Sequence, residues 1–191
     1  MNRREAIQRT AMVLGYAVSA PAVMGILNGC KATPELAFTP VFLTEDQARI
    51  VTEVAEILIP KTDTPGAKDV GVPGFIDLML KDTFKKEDQD LFVSGLTAFD
   101  EEAKKNFGDP FVDLEPSQQL EHVKAVHDAA IKARQEGVRE RPFILMAKEL
   151  TVLGFFTSEA GATQVLQYEA VPGAYHGCVP LAEVGKAWAT S

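Results

Sequence analysis

Two of the three histidines, His122 and His127, lie close enough in the chain to suggest a shared metal site. At 3.6 residues per turn, their spacing separates the two side chains by about 140° around a helix. One helix therefore cannot direct both imidazoles at the same metal ion, and the spacing typical of zinc proteases is absent. His127 falls on an apolar face of its segment, and we interpret it as a hydrogen-bonded core histidine in preference to a metal ligand.

A second group, Tyr175, His176 and Cys178, places a thiol near an imidazole, an arrangement that suggests a nucleophile and its base. The group lies in a stretch rich in proline and glycine, where a short spacing fixes no geometry, and no nucleophile elbow accompanies it. The sequence contains no haem-attachment motif, no Gly-x-Gly-x-x-Gly and no phosphate-binding loop, and two cysteines cannot ligate an iron–sulfur cluster alone. We therefore predict no catalytic, cofactor-binding or metal-binding residue in this chain.

The first 29 residues have the pattern of an export signal. Arg3, Arg4 and Arg9 precede an uncharged apolar stretch from Ala11 to Leu27, as in secretory signals. The adjacent Arg3 and Arg4 resemble the pair in twin-arginine signals, which direct the export of proteins that have already folded. A permanent spanning helix is the alternative, and Pro21 disfavours it because such a helix must satisfy its own backbone.

Cys30 ends a segment that is similar to the cleavage box of bacterial lipoproteins, in which the cysteine thiol takes a lipid. We predict lipidation of Cys30 and attachment to a membrane through it; an unmodified cysteine beside an ordinary cleavage site is the alternative. A lipid contributes about 0.8 kcal/mol per buried CH₂, so a multiply acylated terminus holds a domain at a membrane without a spanning helix. Cys178 would then be the remaining thiol, either buried and free or bridged to another chain.

The composition, with 24% charged and 46% hydrophobic residues in a chain of 191, fits one globular domain with a short appendage. The net charge of −8 and the lack of a basic stripe exclude nucleic acid as a partner. The first 29 residues carry three arginines and one glutamate, so their removal would leave a more acidic domain.

Apolar residues recur at helical spacing through most of the chain after Leu43, and no run alternates with the period of a strand. We therefore predict an all-α fold, with a signal over 1–29, a tether over 30–42 and a single helical domain of about five main helices over 43–191. The expected helices lie between Thr44 and Pro60, from Pro73 to Phe84, from Phe92 to Phe107, from Pro116 to Gly137 and from Pro142 to Phe156.

The predicted helix after Pro142 is apolar almost all round, and such a helix is expected to form the buried centre of the domain. A short helical turn is expected through Val165 and Leu166. The Pro60–Pro73 and Tyr168–Leu181 segments contain many prolines and glycines, and we expect them to be long ordered loops.

Two stretches of the sequence carry a family likeness. One runs from Ile57 through Ala67 to Val72-Pro73 and Phe75-Ile76-Asp77, and resembles the N-terminal signature of the gluconate 2-dehydrogenase subunit 3 family. The other is similar to the C-terminal signature of that family, and consists of Lys148–Thr151, Gly154–Glu159, Gly161–Gln164 and Val171-Pro172-Gly173.

The resemblance implies a non-catalytic small subunit beside a large flavoprotein dehydrogenase of the glucose–methanol–choline type, acting on gluconate, another sugar or a polyol. The large subunit would carry FAD and the chemistry, often with a cytochrome c subunit as electron acceptor. The small subunit would supply the twin-arginine signal, so that the pair folds together and reaches the periplasm or cell envelope together. Cys30 departs from a plain cleavable signal and leaves a lipid-anchored location open.

The two predicted loops are the candidate partner surfaces, and Cys178 is a candidate for a disulfide to the large subunit. The candidate contact residues are Pro60, Pro65, Gly66, Phe156, Tyr175 and Trp188. Aromatic residues serve as anchors in many interfaces, although each of these side chains would equally serve to cover the core of its own domain. A stand-alone helical envelope lipoprotein that binds another protein or a ligand is the main alternative function, and an independent enzyme is a third.

Overall fold

The computed structural model describes residues 35–171, 173–174 and 177–189 of the chain. Arg3, Arg4 and Cys30, on which the predictions of export and lipidation rest, lie outside the described residues, as does Tyr175. From Leu36 onward, the described residues belong to one compact unit.

The described part of the chain forms helices and no strand, which confirms the predicted all-α fold. None of these helices is long and apolar enough to cross a membrane. The five long helices are α1 (Glu45–Leu58), α2 (Val72–Asp82), α3 (Lys86–Phe107), α4 (Pro116–Gln135) and α5 (Phe143–Thr157). The shorter elements are a 3₁₀ turn (Phe111–Asp113), a π-helical turn (Gly161–Val165) and α6 (Leu181–Val184).

Helix α1 begins where its sequence provides a reciprocal cap. The Thr44 hydroxyl accepts a hydrogen bond from the backbone N–H of Gln47 at 3.3 Å, and the Gln47 side chain accepts one from the Thr44 N–H at 3.1 Å. This capping box satisfies two N–H groups that a helix start leaves without intrahelical partners. Ile50 and Val51 are buried on the inner face, and the helix ends before Pro60 because proline cannot continue it.

Helices α2 and α3 are bounded by glycines in the left-handed conformation. Gly71 precedes α2 with a φ of 76°, and Pro73 occupies the first turn, where its missing N–H is not needed. Helix α3 ends at Gly108, whose φ is 92°. It begins at Lys86, earlier than the predicted Phe92. The apolar pattern does not reveal this start because the first turn of the helix is polar.

Helix α5 packs against α1, α2, α3 and α4, which confirms its predicted place at the centre of the fold. Phe143, Ile144 and Leu150 are among its buried residues. One face of the helix is nevertheless uncovered, since Val152 is 42% exposed and Leu153 is 44% exposed. A helix that is apolar almost all round normally has every face covered, so this face is an exception within an otherwise buried element.

Aromatic rings fill the core between α3, α4 and α5. The ring centroid of Phe99 lies 4.8 Å from that of Phe111 and 5.4 Å from that of Phe143. Phe92 meets Phe143 edge-on with centroids 5.0 Å apart, a geometry that aromatic pairs favour because of their quadrupoles. Phe111 belongs to the 3₁₀ turn and is fully buried, a role that helical periodicity could not predict because the turn is too short to show a period.

Of the two histidines of α4, His122 is buried and His127 is not, so the prediction that placed His127 in the core was wrong. His122 is 1% exposed, and its Nε2 donates to the carbonyl oxygen of Phe99 at 2.9 Å. His127 is partly exposed, and its Nε2 accepts from the Lys148 ammonium at 3.0 Å. Helix α4 has few apolar residues, and Leu120 on its predicted inner face is 40% exposed. Its rotation is therefore set by packing and not by its own periodicity.

The chain ahead of α1 is held onto α2 by one buried carboxylate. Asp77 is 1% exposed and accepts backbone N–H groups of Val41 at 2.6 Å, Phe42 at 3.1 Å and Leu43 at 2.7 Å. Leu36 also packs against the core. The packed domain therefore includes residues from Leu36 onward, within the segment for which the sequence predicts a tether.

Candidate partner-binding loops

The loop between α1 and α2 is organised around the side chain of Glu56. One carboxylate oxygen of Glu56 accepts the backbone N–H of Lys61 at 3.1 Å, and the other accepts the N–H of Lys68 at 2.9 Å. The Lys68 ammonium in turn binds the Glu53 carboxylate at 2.8 Å. Two turns of α1 therefore hold both ends of the loop, and the prediction that this Pro/Gly-rich segment is ordered is confirmed.

Gly66 lies against the Glu56 carboxylate inside this loop. A Cβ atom at Gly66 would lie 2.4 Å from Glu56 Oε1 and 2.7 Å from the backbone nitrogen of Lys61, distances that real Cβ atoms do not reach. The next residue, Ala67, is fully buried, and its N–H donates to the carbonyl oxygen of Ile59 at 2.9 Å. The Pro65-Gly66-Ala67 stretch of the sequence signature thus closes the loop back onto the end of α1.

Asp69 completes the network on the outer side of the loop. Its carboxylate accepts the backbone N–H of Gly66 at 3.0 Å and binds the Lys61 ammonium at 3.2 Å. These two donors hold the pKa of Asp69 below its ordinary value of 3.8, the Gly66 N–H first and the Lys61 side chain second. The charged side chains at the outer edge of the loop are therefore held in place by contacts within the loop.

The predicted contact residues of this loop differ in exposure. Pro60 is exposed, Pro65 is half-buried and Gly66 is buried. Pro60 and the charged edge of the loop therefore face solvent, whereas Gly66 provides room for the Glu56 carboxylate. No hydrogen bond or ion pair among the described residues joins this loop to the segment that follows α5.

The segment after α5 leaves the core. Val165 is the last residue of the described chain that packs against the core, and the segment from Leu166 to Ala189 is closed by a short bridge between Gln167 and Trp188. The Gln167 N–H donates to the carbonyl oxygen of Ala187 at 2.8 Å, and the Ala189 N–H donates to Gln167 at 2.9 Å. We call residues 166–189 the C-terminal arm. The bridge holds the two ends of the arm side by side.

The C-terminal arm presents apolar side chains to solvent. Tyr168 is 51% exposed, Val171 is 82% exposed and Trp188 is 42% exposed. Cys178 is a free and exposed thiol. Of the two alternatives for Cys178, the described arm therefore supports an accessible thiol over a buried one.

Phe156, another predicted contact residue, lies at the end of α5 and is half-buried. Its ring meets that of Phe155 edge-on at 5.3 Å, and it packs against the core. Its main contacts are thus within its own domain.

The two sequence stretches that carry the family likeness meet in the core. Gly154 of α5 lies against the ring of Phe75 in α2, and a Cβ atom at Gly154 would lie 2.6 Å from that ring. A Cβ atom at Gly161 would lie 1.9 Å from the carbonyl oxygen of Phe155. These glycines permit close packing of backbone and rings, so the two signatures describe how this fold is assembled.

The described residues contain no group of three or more histidine, cysteine or acidic side chains able to hold a metal ion. They do contain an open groove of about 1190 Å³ beside α5, which the helical pattern of the sequence does not predict. Its apolar lining includes Val152 and Leu153. The sequence signal for this groove is that α5 has too few polar residues to form a polar face, so any exposed side of the helix must be apolar.

The family model for gluconate 2-dehydrogenase subunit 3 matches residues 45–173, which include α1 to α5 and the first part of the C-terminal arm. No curated protein and no solved structure matches the chain. The matched range covers more than half of the sequence and contains both signatures, whose glycines and Asp77 have the structural roles described above. The chain therefore belongs to the gluconate 2-dehydrogenase subunit 3 family, as an accessory subunit of a multi-subunit dehydrogenase complex.

Proposed function

We propose that this chain is the non-catalytic small subunit of a flavin-dependent dehydrogenase of the glucose–methanol–choline type that oxidises gluconate, another sugar or a polyol. The observation that carries the proposal is the family match over residues 45–173. The sequence has no dinucleotide-binding glycine motif, and the described helices present no strand-turn-helix unit in which such a motif would bind FAD. The resemblance to this family implies that the partner carries FAD, and a cytochrome c subunit is the expected electron acceptor.

The second part of the proposal is that this chain brings the catalytic subunit out of the cytoplasm. Arg3 and Arg4 would be read by the twin-arginine machinery, which transports folded proteins. A partner that has already bound FAD and docked on this chain would then cross the membrane with it. Lipidation of Cys30 would keep the complex at the cell envelope.

The C-terminal arm is the partner-binding element that we infer for this role. Tyr168, Val171 and Trp188 expose large apolar surfaces outside the core, and such residues anchor protein interfaces when they enter pockets of a partner. The bridge between Gln167 and Trp188 holds the two ends of the arm together before binding, which lowers the conformational entropy that these ends lose on association.

Purification of the tagged full-length chain from its native host tests the subunit assignment. We expect a large flavin-containing protein to co-purify, with dye reduction by a sugar acid, sugar or polyol in the complex and none by the small chain alone. Recovery of the chain without a flavoprotein would support a stand-alone envelope lipoprotein instead. Substrate turnover by the isolated chain would support an independent enzyme.

Substitution of both signal arginines by lysine tests the export role. In the Arg3→Lys/Arg4→Lys variant we expect the small chain and its flavoprotein to remain in the cytoplasm, whereas Arg9→Lys serves as a matched control outside the pair. Cys30→Ser should still be exported but should no longer fractionate with membranes. Normal export of the flavoprotein in the double variant would contradict the role.

A further inference from the structure

The open groove beside α5 lies between the end of α4, the connecting residues 136–142 and the outer face of α5. Its apolar lining includes Ile131 and Leu145, which are less exposed than the other apolar residues of the groove. Val138 is 47% exposed, Val152 is 42% exposed and Leu153 is 44% exposed along its walls. The uncovered face of the central helix is thus one wall of a concave apolar surface.

The exposed face of α5 carries more large apolar residues than the exposed faces of α2 and α4. Each of the helices α2 and α4 shows one exposed large apolar residue, Leu78 and Leu120 respectively, and single exposed leucines are normal on protein surfaces. On α5 two adjacent positions, Val152 and Leu153, are exposed together and face a groove with further apolar lining. Contiguous apolar surfaces of this kind mark binding sites in soluble proteins.

The rim of the groove is basic in an otherwise acidic chain. The residues that line the groove include four basic and two acidic ones, whereas the whole chain has 19 basic and 27 acidic residues. Arg134 and Arg139 pair with no acidic side chain within the described residues, whereas Arg141 at the same rim pairs with Glu149. The Lys148 ammonium, which donates to His127, also lines the groove. An occupant with carboxylates would therefore find unpaired cations beside an apolar floor.

We propose that this groove is a second docking site for the catalytic partner, and that it takes an amphipathic acidic segment of that subunit. Apolar side chains of the segment would cover Val152 and Leu153, and its carboxylates would pair with Arg134 and Arg139. This inference rests on the proposed function, because it assumes that the flavoprotein binds this chain.

The shape and charge of the groove favour such a segment over other occupants. A concave apolar groove suits a helix or an extended peptide, whereas a flat bilayer surface would not follow its curvature. A second copy of this chain offers no helix with an exposed apolar stripe other than α5 among the described residues. The basic rim thus selects the acidic segment of a different protein.

Matched pairs of variants in the full-length chain test the proposal by co-purification of the flavoprotein. Leu153→Asp alters the groove, and Leu78→Asp places the same change at an exposed leucine of α2, 50% exposed compared with 44% for Leu153. Arg139→Glu reverses a charge at the rim, and Lys81→Glu reverses an exposed charge on α2. We expect each groove variant to weaken retention of the flavoprotein at least about tenfold, with both controls matching the wild-type chain.

Salt dependence provides a second readout that a folding defect would not produce. Raising the ionic strength should speed dissociation of the wild-type complex, and it should have less effect on the Arg139→Glu complex because one charge pair is already lost. Circular dichroism of the groove variants should match the wild-type spectrum, since the changed side chains are exposed.

Three results would overturn the proposal, and they are distinguishable. Groove variants that retain the flavoprotein as well as their controls would remove the docking site but leave the proposed function intact. A wild-type chain that retains no flavoprotein would overturn both. A purified wild-type chain that is dimeric, and becomes monomeric on Leu153→Asp substitution, would assign the groove to a second copy.

Discussion

The Glu56 carboxylate occupies the space that a side chain at Gly66 would need. Glu56 uses both of its oxygens to hold the backbone of Lys61 and Lys68, and Gly66 passes beside them with no side chain of its own. A buried or half-buried carboxylate that accepts backbone N–H groups replaces the pairing that a strand or helix would otherwise supply. The relationship explains why a loop rich in proline and glycine is ordered.

Gly66→Ala should destabilise the protein by about 1–3 kcal/mol, because the new methyl group overpacks the site. The contact at 2.7 Å to the backbone of Lys61 can be relieved only by moving the loop, and the contact at 2.4 Å only by moving the Glu56 carboxylate away from the N–H groups that it accepts. Denaturant unfolding measures the change. Gly173→Ala is the control, since nothing lies within 4 Å of a Cβ atom there. Equal stability of the two variants would show that the loop gives way without cost.

Asp69 should make this loop sensitive to acid. Its pKa lies below 3.8 because the Gly66 N–H and the Lys61 ammonium favour the charged form. A carboxyl group whose pKa is lower in the folded protein than in the unfolded chain adds stability that is complete above the unfolded value. That stability is lost as the pH falls through the folded value.

We therefore expect Asp69→Asn to be less stable than the wild type at neutral pH, with the difference disappearing in acid once Asp69 is protonated in the folded state. Unfolding curves of both proteins at pH values above and below 3.8 measure the effect. A difference that persisted unchanged in strong acid would rule out this electrostatic account.

Asp77→Asn should cost about 2 kcal/mol or more of folding stability. The buried carboxylate accepts three backbone N–H groups from Val41, Phe42 and Leu43, and an amide offers one acceptor oxygen and adds two donors of its own. Asp82→Asn, at the exposed end of the same helix, is the matched control. Thermal unfolding of the mature domain provides the measurement, and an unchanged midpoint for Asp77→Asn would refute the anchoring role.

The two histidines of α4 should respond very differently to truncation. His122→Ala removes a ring packed between Phe99 and Phe111 together with its hydrogen bond, and should destabilise the fold by about 2–4 kcal/mol. His127→Ala removes a partly exposed ring and should change stability by less than about 1 kcal/mol. Denaturant midpoints of the two variants test this order, which the apolar pattern alone would have reversed.

Cys178 is the described thiol available for a covalent link to the partner, because it is free and exposed. If the disulfide forms, the purified complex should migrate as one heavier band in non-reducing electrophoresis and separate on reduction. Cys178→Ser should abolish that band, whereas Cys30→Ser should retain it. Wild-type subunits that separate without reductant would eliminate the disulfide.

The helical class and most helix ends follow from local chemistry in the sequence. The Thr44–Gln47 capping box, Pro116 at the start of α4 and Gly108 at the end of α3 act within one or two turns, so each is legible in a short window. The polar start of α3 and the 3₁₀ turn at Phe111 do not follow in this way, because neither has apolar periodicity.

The surfaces proposed to contact other chains depend more strongly on three-dimensional packing. The sequence predicts that the loop after α1 is ordered. It does not show that the Glu56 carboxylate is the cause, because Glu56 binds the backbone of two residues that are separated along the loop. For Cys178 the sequence left open a buried free thiol or a bridge to another chain, and its exposure is visible only in the structure. The groove beside α5 was not predicted, since its two walls come from helices whose relative rotation no single segment specifies.

By itself, the sequence determined that this protein is an all-α domain, that it carries two family signatures and that the loop after α1 is ordered, because propensity, caps and turns act locally. Only the tertiary structure decided that His122 and not His127 is buried, that Leu36 belongs to the packed domain and that one face of α5 remains open. Each of these depends on which surfaces meet. Burial is a property of neighbours that are distant in the chain, and a periodic pattern identifies an apolar face without identifying what covers it.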